Sequence, residues 1–418
     1  MRKNVLYAQS GGVTAVINAS AYGVIETVRT HPEQFGKLYA ARDGILGVLN
    51  EEIFDLAEES EATLKALRHT PGGAFGSCRF DLGDPDTHQR QYERLVEVFQ
   101  AHDIGYFFYN GGGGSMDTAL KVALLSENMG YPIVSVGVPK TIDNDLAGTD
   151  TSPGFGSAAK FIATVVREAS MDVESMASSS TKVFIMEVMG RHAGWLAAAA
   201  ALAQEDSGHP PMLILFAEIP FNPQRFLDRL QEIVNEHGYC VVVASEGLKD
   251  ETGKLVSVAQ ANSVYAYTQL GGVAPTLNTL IKQATGYKVH WAVADYIQRA
   301  ARHIASRTDV EQAYALGRAA VEFVLQGHHS FMPVIHRVSD EPYTWEVHRV
   351  SLGEVANIER GLPRQYITDD GYGITDTCRR YLKPLIAGED YPPFVDGLPN
   401  YVRIKGVLLE KRLPPFIP

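Results

Sequence analysis

Residues 104–115 read IGYFFYNGGGGS. An apolar, aromatic run of strand length ends at Asn110, four glycines follow, and a helical pattern opens at Ser115. Four consecutive glycines are entropically costly, and between a buried strand and a helix a flexible linker has no place; the close approach of a ligand or of another backbone accounts for them. The same unit recurs in both directions along the chain. Residues 4–8 lead into Ser10-Gly11-Gly12 and a helix over 15–30. Residues 133–138 lead into 139–145, and 183–188 lead into Gly190-Arg191 and an alanine-rich helix over 195–203. Residues 213–219 and 240–245 read as further strands, with a helix over 223–236 between them. Strand, turn and helix repeated this often imply an α/β fold: two Rossmann-like lobes with mostly parallel sheets flanked by helices. Ligands in such sheets gather at the carboxyl ends of strands, where these turns lie, so the active site is expected in the cleft between the lobes.

The chain has 418 residues, long enough for two cores. The lobe boundary is expected near Gly154. Residues 1–154 then form an N-terminal lobe, completed by about 290–330, and residues 155–289 form a second lobe. Thr308-Asp309-Val310-Glu311 reads as a capping box opening a helix to Gln326, with Gly327 as its stop. Proline density rises after Met332, and 331–418 is expected to be an extension packing on the lobes. With 45% apolar and 21% charged residues, disorder, collagen-like repeats and coiled coil are excluded. A formal net charge of −12 disfavours nucleic acid and anionic membrane as partners. Cys78, Cys240 and Cys378 show no Cys-x-x-Cys spacing, which suits a reducing cytoplasm. The N-terminus lacks signal-peptide character, and no apolar run reaches the roughly 18 residues of a membrane span.

Several turns carry chemistry. Ser10-Gly11-Gly12 offers backbone N–H groups and a helix start to a phosphate, although a tight βα turn of any α/β protein reads the same way. Residues 71–80, PGGAFGSCRF, form a second glycine-rich stretch, and Arg79 within it is suited to forking onto a phosphate. Residues 137–145, GVPKTIDND, place Lys140 three positions before Asp143 at the end of a buried strand. A lysine can neutralise a leaving phosphate, and a carboxylate can accept a proton from an attacking hydroxyl.

In this order SGGVTAVIN (10–18), PGGAFGSCRF (71–80), NGGGGS (110–115), PKTIDND (139–145), MGRHAGW (189–195), SEG (245–247) and YIQR (296–299) resemble the phosphofructokinase family, specifically its pyrophosphate-dependent branch. The resemblance covers roughly residues 4 to 325, and PKTIDND followed by MGRHAGW carries most of its specificity. It implies a magnesium-dependent phosphotransferase acting on diphosphate and fructose 6-phosphate, with the donor site on the N-terminal lobe and the sugar-phosphate site on the second. Asp143 matches the base that takes the proton of the C1 hydroxyl, Thr141 a hydroxyl near the transferred group, and Lys140 the lysine that marks diphosphate users. Gly11, Gly12, Arg79, Gly112, Gly114 and Ser115 fall on the donor side. Met189, Gly190, Arg191, Glu246, Tyr296 and Arg299 match sugar-phosphate contacts. Lys182 falls where relatives carry an arginine that reaches a neighbouring subunit's substrate, which implies a homodimer or homotetramer. Taken alone, Glu246 reads equally as a buried strand-end carboxylate, Tyr296 as a core aromatic, and Arg299 as part of a basic face with Arg302, His303 and Arg307.

The chain departs from the family at Gly113, where an aspartate or asparagine near the magnesium is usual, and at Gly114, where the diphosphate branch usually has an aspartate that crowds out ATP. Asp145 is then the expected metal ligand, with Asp117 as the second choice. The loss at 114 keeps an ATP-dependent phosphofructokinase open as an alternative, opposed by Lys140. A non-catalytic sugar-phosphate-binding regulator is a further alternative, opposed by the retention of Lys140, Thr141 and Asp143 together.

Overall fold

The computed structural model describes residues 2–205, 208–256 and 271–417. In chain order the strands that matter here are β1 (Asn4–Gln9), β2 (Leu38–Ala41), β3 (Ile53–Asp55), β4 (Ile104–Gly111), β5 (Val134–Pro139), β6 (Val183–Val188), β7 (Met212–Leu215), β8 (Cys240–Ser245), β9 (Val289–Val293), β10 (Phe331–Asp340) and β11 (Tyr343–Ser351). They form a seven-stranded sheet in the order β11-β10-β5-β4-β1-β2-β3 and a four-stranded sheet in the order β7-β8-β6-β9. The second sheet is parallel throughout. The first is parallel except where β3 pairs with β2 and β11 with β10.

Alternation along single strands shows why both faces are covered. On β1, Leu6 and Ala8 enter a core with Tyr92, Leu95 and Met116, from helices Gln89–Ala101 and Gly113–Asn128. Val5 and Tyr7 enter another core with Ala21, Val24, Ala320 and Val321, from helices Ile17–Arg29 and Arg307–Leu325. On β6, Val183 and Ile185 pack with Phe226, Leu230 and Leu277, while Met186 and Val188 pack with Ile162, Val166 and Trp195. Side chains of period two buried on both sides are the mark of a doubly covered sheet.

Helices Ile17–Arg29 and Arg307–Leu325 cross in backbone contact. A methyl group on Gly23 would collide with the Tyr314 carbonyl, and one on Gly317 with the Ser20 carbonyl. Glycine inside a helix is costly, and here the close approach explains it.

The structure corrects several sequence expectations. Helix Gly113–Asn128 opens two residues before Ser115, so Gly113 and Gly114 form its first turn. The cap of helix Arg307–Leu325 is Ser306, whose hydroxyl accepts from the Asp309 N–H, not Thr308. Asp309 is thereby freed to accept from the N–H groups of Gly154 and Ser157, at 2.9 Å each, at the start of helix Phe155–Met176. Residues 289–293, expected to help complete the N-terminal lobe, form the edge of the second sheet. Residues 331–351, expected to lie over the lobes, instead extend the first sheet by two strands. The rest of the tail crosses both lobes and ends against Glu51, which accepts from the N–H groups of Arg412 and Leu413.

Candidate active site

Parallel pairing of Gln9 with Asn110 and of Gly111 with Pro139 aligns the carboxyl ends of β1, β4 and β5. Turns 10–12, 111–114 and 140–145 therefore share one edge. The loop ending at Arg79 is tied to the first turn: the Ser77 hydroxyl donates to the Gly11 carbonyl (2.7 Å) and the Gly11 N–H to the Cys78 carbonyl (2.9 Å). Asn18 Nδ2 donates to the carbonyls of Thr70 and Gly72 and steadies the loop's beginning.

Three cationic groups meet at Gly11-Gly12. Lys140, 3% exposed, donates from Nζ to the Gly12 carbonyl at 2.6 Å. A methyl group on Gly12 would collide with the Arg299 guanidinium and come within 3.3 Å of Arg79 Nη2. Burial, with repulsion from Arg299 and Arg79, pulls the Lys140 ammonium down to about 7. Such a cluster is short of negative charge, and a phosphate ligand supplies it. Asp143 lies on the same turn as Lys140, close enough for the two charges to act on each other. Burial, then the charges of Asp145 and Glu246, push its carboxyl up to about 7, with Lys140 and Arg191 opposing. Two groups of opposite charge poised near neutrality on one turn match the needs of a base and a charge-neutralising acid. The Thr141 hydroxyl accepts the Asp143 N–H at 3.1 Å and fixes the turn.

The second sheet offers a matching edge. Val188 pairs with Ser245, and the Glu246 N–H donates to the Val188 carbonyl at 2.9 Å. The Ser245 hydroxyl donates to the Gly190 carbonyl (2.7 Å), and the Gly190 N–H points to Glu246 Oε1 (3.4 Å). Gly190 has φ of +130°, and a Cβ there would stand 2.5 Å from the Ala193 carbonyl, so only glycine fits. The charge of Arg191 acts on both edges, opposing the rise of the Asp143 and Glu246 carboxyls. Burial raises the Glu246 carboxyl.

Gly11, Gly12, Arg79, Lys140, Thr141, Asp143 and Asp145 thus gather on one edge, and Met189, Gly190, Arg191 and Glu246 on the other. Arg299, expected with the sugar contacts, lies against Gly12, with Tyr296 stacked beneath its guanidinium at 3.9 Å. Tyr296 itself is 61% exposed. Gly112 and Gly114 line the donor edge, with Asp81 Oδ1 3.7 Å from where a Gly114 Cβ would lie. Ser115 is buried beneath Gly111. Lys182 is not brought to the site within this chain. It precedes β6 at the amino end of a six-residue strand, about 20 Å from its carboxyl end, and donates to the Ala177 carbonyl.

Sequence reasoning missed the supports. Gln298, 1% exposed, accepts the Met189 N–H at 3.2 Å; its place inside YIQR was its only signal. Glu359, Arg360 and Tyr381 of the tail also reach the two edges, and nothing in their local sequence marks them.

For magnesium, the fit is to a shared site. Among the described residues no three His, Cys, Asp or Glu side chains form a metal-holding group. Asp145 nevertheless carries a carboxyl raised by burial and by the charge of Glu359, and it in turn raises Asp143. A crowd of carboxylates beside a phosphate site suits an ion that keeps several waters and takes one or two carboxylates plus phosphate oxygens.

Residues 4–324 match the phosphofructokinase family. A pyrophosphate–fructose 6-phosphate 1-phosphotransferase of Halomonas elongata is 58% identical over 413 residues, covering 99% of each chain. The crystal structures of pyrophosphate-dependent phosphofructokinases from Nitrosospira multiformis (56% identity, TM-score 0.93) and Marinobacter aquaeolei (58%, 0.91) each superpose over 100% of both chains.

Proposed function

The chain belongs to the phosphofructokinase family, and from that premise we propose that it transfers a phosphoryl group from diphosphate to the C1 hydroxyl of fructose 6-phosphate. The products are fructose 1,6-bisphosphate and phosphate, and the reaction is read as running in either direction. The observation that carries this reading is the convergence of Lys140, Arg79 and Arg299 on Gly11-Gly12 with Asp143 on the same turn as Lys140.

Diphosphate lies against the cationic turn and the N-terminus of helix Gly113–Asn128. Fructose 6-phosphate is held by Met189–Arg191, Glu246 and Tyr296, and Arg299 sits between the two substrates. Asp143 takes the C1 hydroxyl proton as that oxygen attacks phosphorus in line. The bond to the departing phosphate breaks, and Lys140 offsets the charge left on it. Asp145 would hold Mg²⁺, which would supply further charge neutralisation beside the donor. Little covalent work falls to the protein, so positioning and electrostatics supply the acceleration.

ATP is the rival donor, favoured by the absence of a side chain at Gly114 and opposed by Lys140 over the donor turn and by the Asp81 carboxylate, 3.7 Å from where a Gly114 Cβ would lie. Initial rates with diphosphate and with ATP, each with and without magnesium, test the choice: faster turnover with diphosphate, dependent on magnesium, is expected, and ATP turnover matching it would overturn the choice. A homodimer or homotetramer accords with apolar Trp291, Val293 and Ile297, exposed along and just after the edge strand β9. A cytoplasmic location accords with three free, buried cysteines and, among the described residues, with the absence of any helix long and apolar enough to cross a membrane.

A further inference from the structure

Asn144, between Asp143 and Asp145, has φ of +53° and is fully buried. A non-glycine residue persists in that region only where its surroundings over-determine it. Here they come from the tail and from Ser152 in the same loop. Asn144 Nδ2 donates to the Tyr381 hydroxyl at 2.9 Å, and Asn144 Oδ1 accepts the Ser152 N–H at 3.0 Å. Arg360 does more, across 216 residues of sequence. Its Nε and Nη2 donate to the Asn144 carbonyl (3.3 and 3.0 Å), and its Nη1 to the carbonyls of Thr149 (2.8 Å) and Asp150 (3.0 Å). Its own N–H donates to the Asp145 carbonyl at 2.7 Å.

The same segment grips the other edge. The Arg360 guanidinium lies over the Trp195 ring at 4.8 Å, and Trp195 Nε1 donates to the Arg360 carbonyl at 3.2 Å. Glu359 pairs with His192 at 2.8 Å. Glu218 accepts from the N–H groups of both Leu362 and Gly194, at 2.9 Å each. Residues 359–362 are thus a staple from the turn bearing Asp143 to the loop after β6.

We propose that Arg360 is a positioning residue for phosphoryl transfer: by holding the carbonyls of Asn144, Thr149 and Asp150 while seated on Trp195, it fixes Asp143 relative to the sugar-binding edge. This rests on the reading of the site given above. A planar fork with several fixed donors matches three backbone carbonyls; an ammonium does not. Misplacement of a catalytic group by about 1 Å costs about 100-fold in rate.

The test uses the full-length enzyme with diphosphate and with ATP. Arg360→Ala is expected to lower kcat about 100-fold while calorimetry shows fructose 6-phosphate binding retained. Millimolar guanidinium is expected to restore part of that kcat without accelerating the wild type. Wild-type kcat in the variant overturns the proposal. So does a loss of kcat, sugar binding and melting temperature together with no rescue, which marks a merely structural residue. Should Arg360→Ala not fold, Arg360→Lys carries the test: kcat about tenfold down at unchanged melting temperature supports the proposal, and wild-type kcat defeats it. If the wild type prefers ATP, the donor reading falls, and the variant's ratio measured with ATP still decides for Arg360. A wild type inert with both donors overturns both.

Discussion

The two sheet edges of the site are built alike and charged unlike. On the first, glycine turns let Lys140, Arg79 and Arg299 crowd around Gly12. On the second, Glu246 reaches back to the Gly190 N–H, leaving an acceptor-rich edge with Arg191 beside it. The first arrangement suits an anion with no hydroxyls to offer, and the second a sugar whose hydroxyls need acceptors. Asp143 belongs by sequence to the first edge and by electrostatics to both, since Lys140 on its own turn and Arg191 on the second edge both oppose the rise of its carboxyl. That shared position is what a base between donor and acceptor requires.

The largest break in this comparison comes at Asp143. Asp143→Ala is expected to lower kcat by about 10³- to 10⁴-fold, with fructose 6-phosphate binding, measured by calorimetry, nearly unchanged. Activity within tenfold of wild type would remove Asp143 from the role of base.

A smaller and sided effect is expected at Lys140. Lys140→Met should lower kcat/KM for diphosphate about 100-fold and leave the KM for fructose 6-phosphate near its wild-type value. It also changes the pH profile. The ammonium holds the Asp143 carboxyl down, so its removal should move the acid limb to higher pH and abolish any alkaline limb. An acid limb that stays at its wild-type position would show that the two groups do not share a cavity.

The smallest effects sharpen the contrast between edges. Arg79→Ala should raise the KM for diphosphate about tenfold, and Glu246→Gln that for fructose 6-phosphate by a similar factor, as expected for loss of a charge-assisted hydrogen bond. Each should spare the other substrate; a crossed result in steady-state kinetics would mean that the edges are misassigned.

The first of these contrasts was legible in the sequence and the staple was not, for a physical reason. Strand ends announce themselves by a change from apolar runs to glycine and charge, so 10–12, 110–115 and 139–145 read as strand-end turns, and the register of the sheet brings them to one edge. Arg360 acts on backbone carbonyls 216 residues away, and a carbonyl leaves no mark in a sequence. Helix starts were misread where two local signals competed. Gly113 and Gly114, poor helix formers, hid a helix that tertiary packing begins at Gly113. Thr308 looked like a cap, while Ser306 performs that role and Asp309 turns to a different helix. Motif membership does not say which way a guanidinium lies; the seat of Arg299 against Gly12 comes from the long-range fold.

The central claim is that an acid near neutrality and an ammonium near neutrality confront one another over the transferred phosphorus. Asp143, pushed up to about 7, must lose its proton to act, so activity rises as pH passes that value; Lys140, pulled down to about 7, must keep its proton, so activity falls beyond it. Measured as kcat/KM for diphosphate against pH, which reports the free enzyme, the account predicts a narrow bell with its maximum near neutrality. A rate that stays flat from mildly acidic to mildly alkaline pH would contradict it.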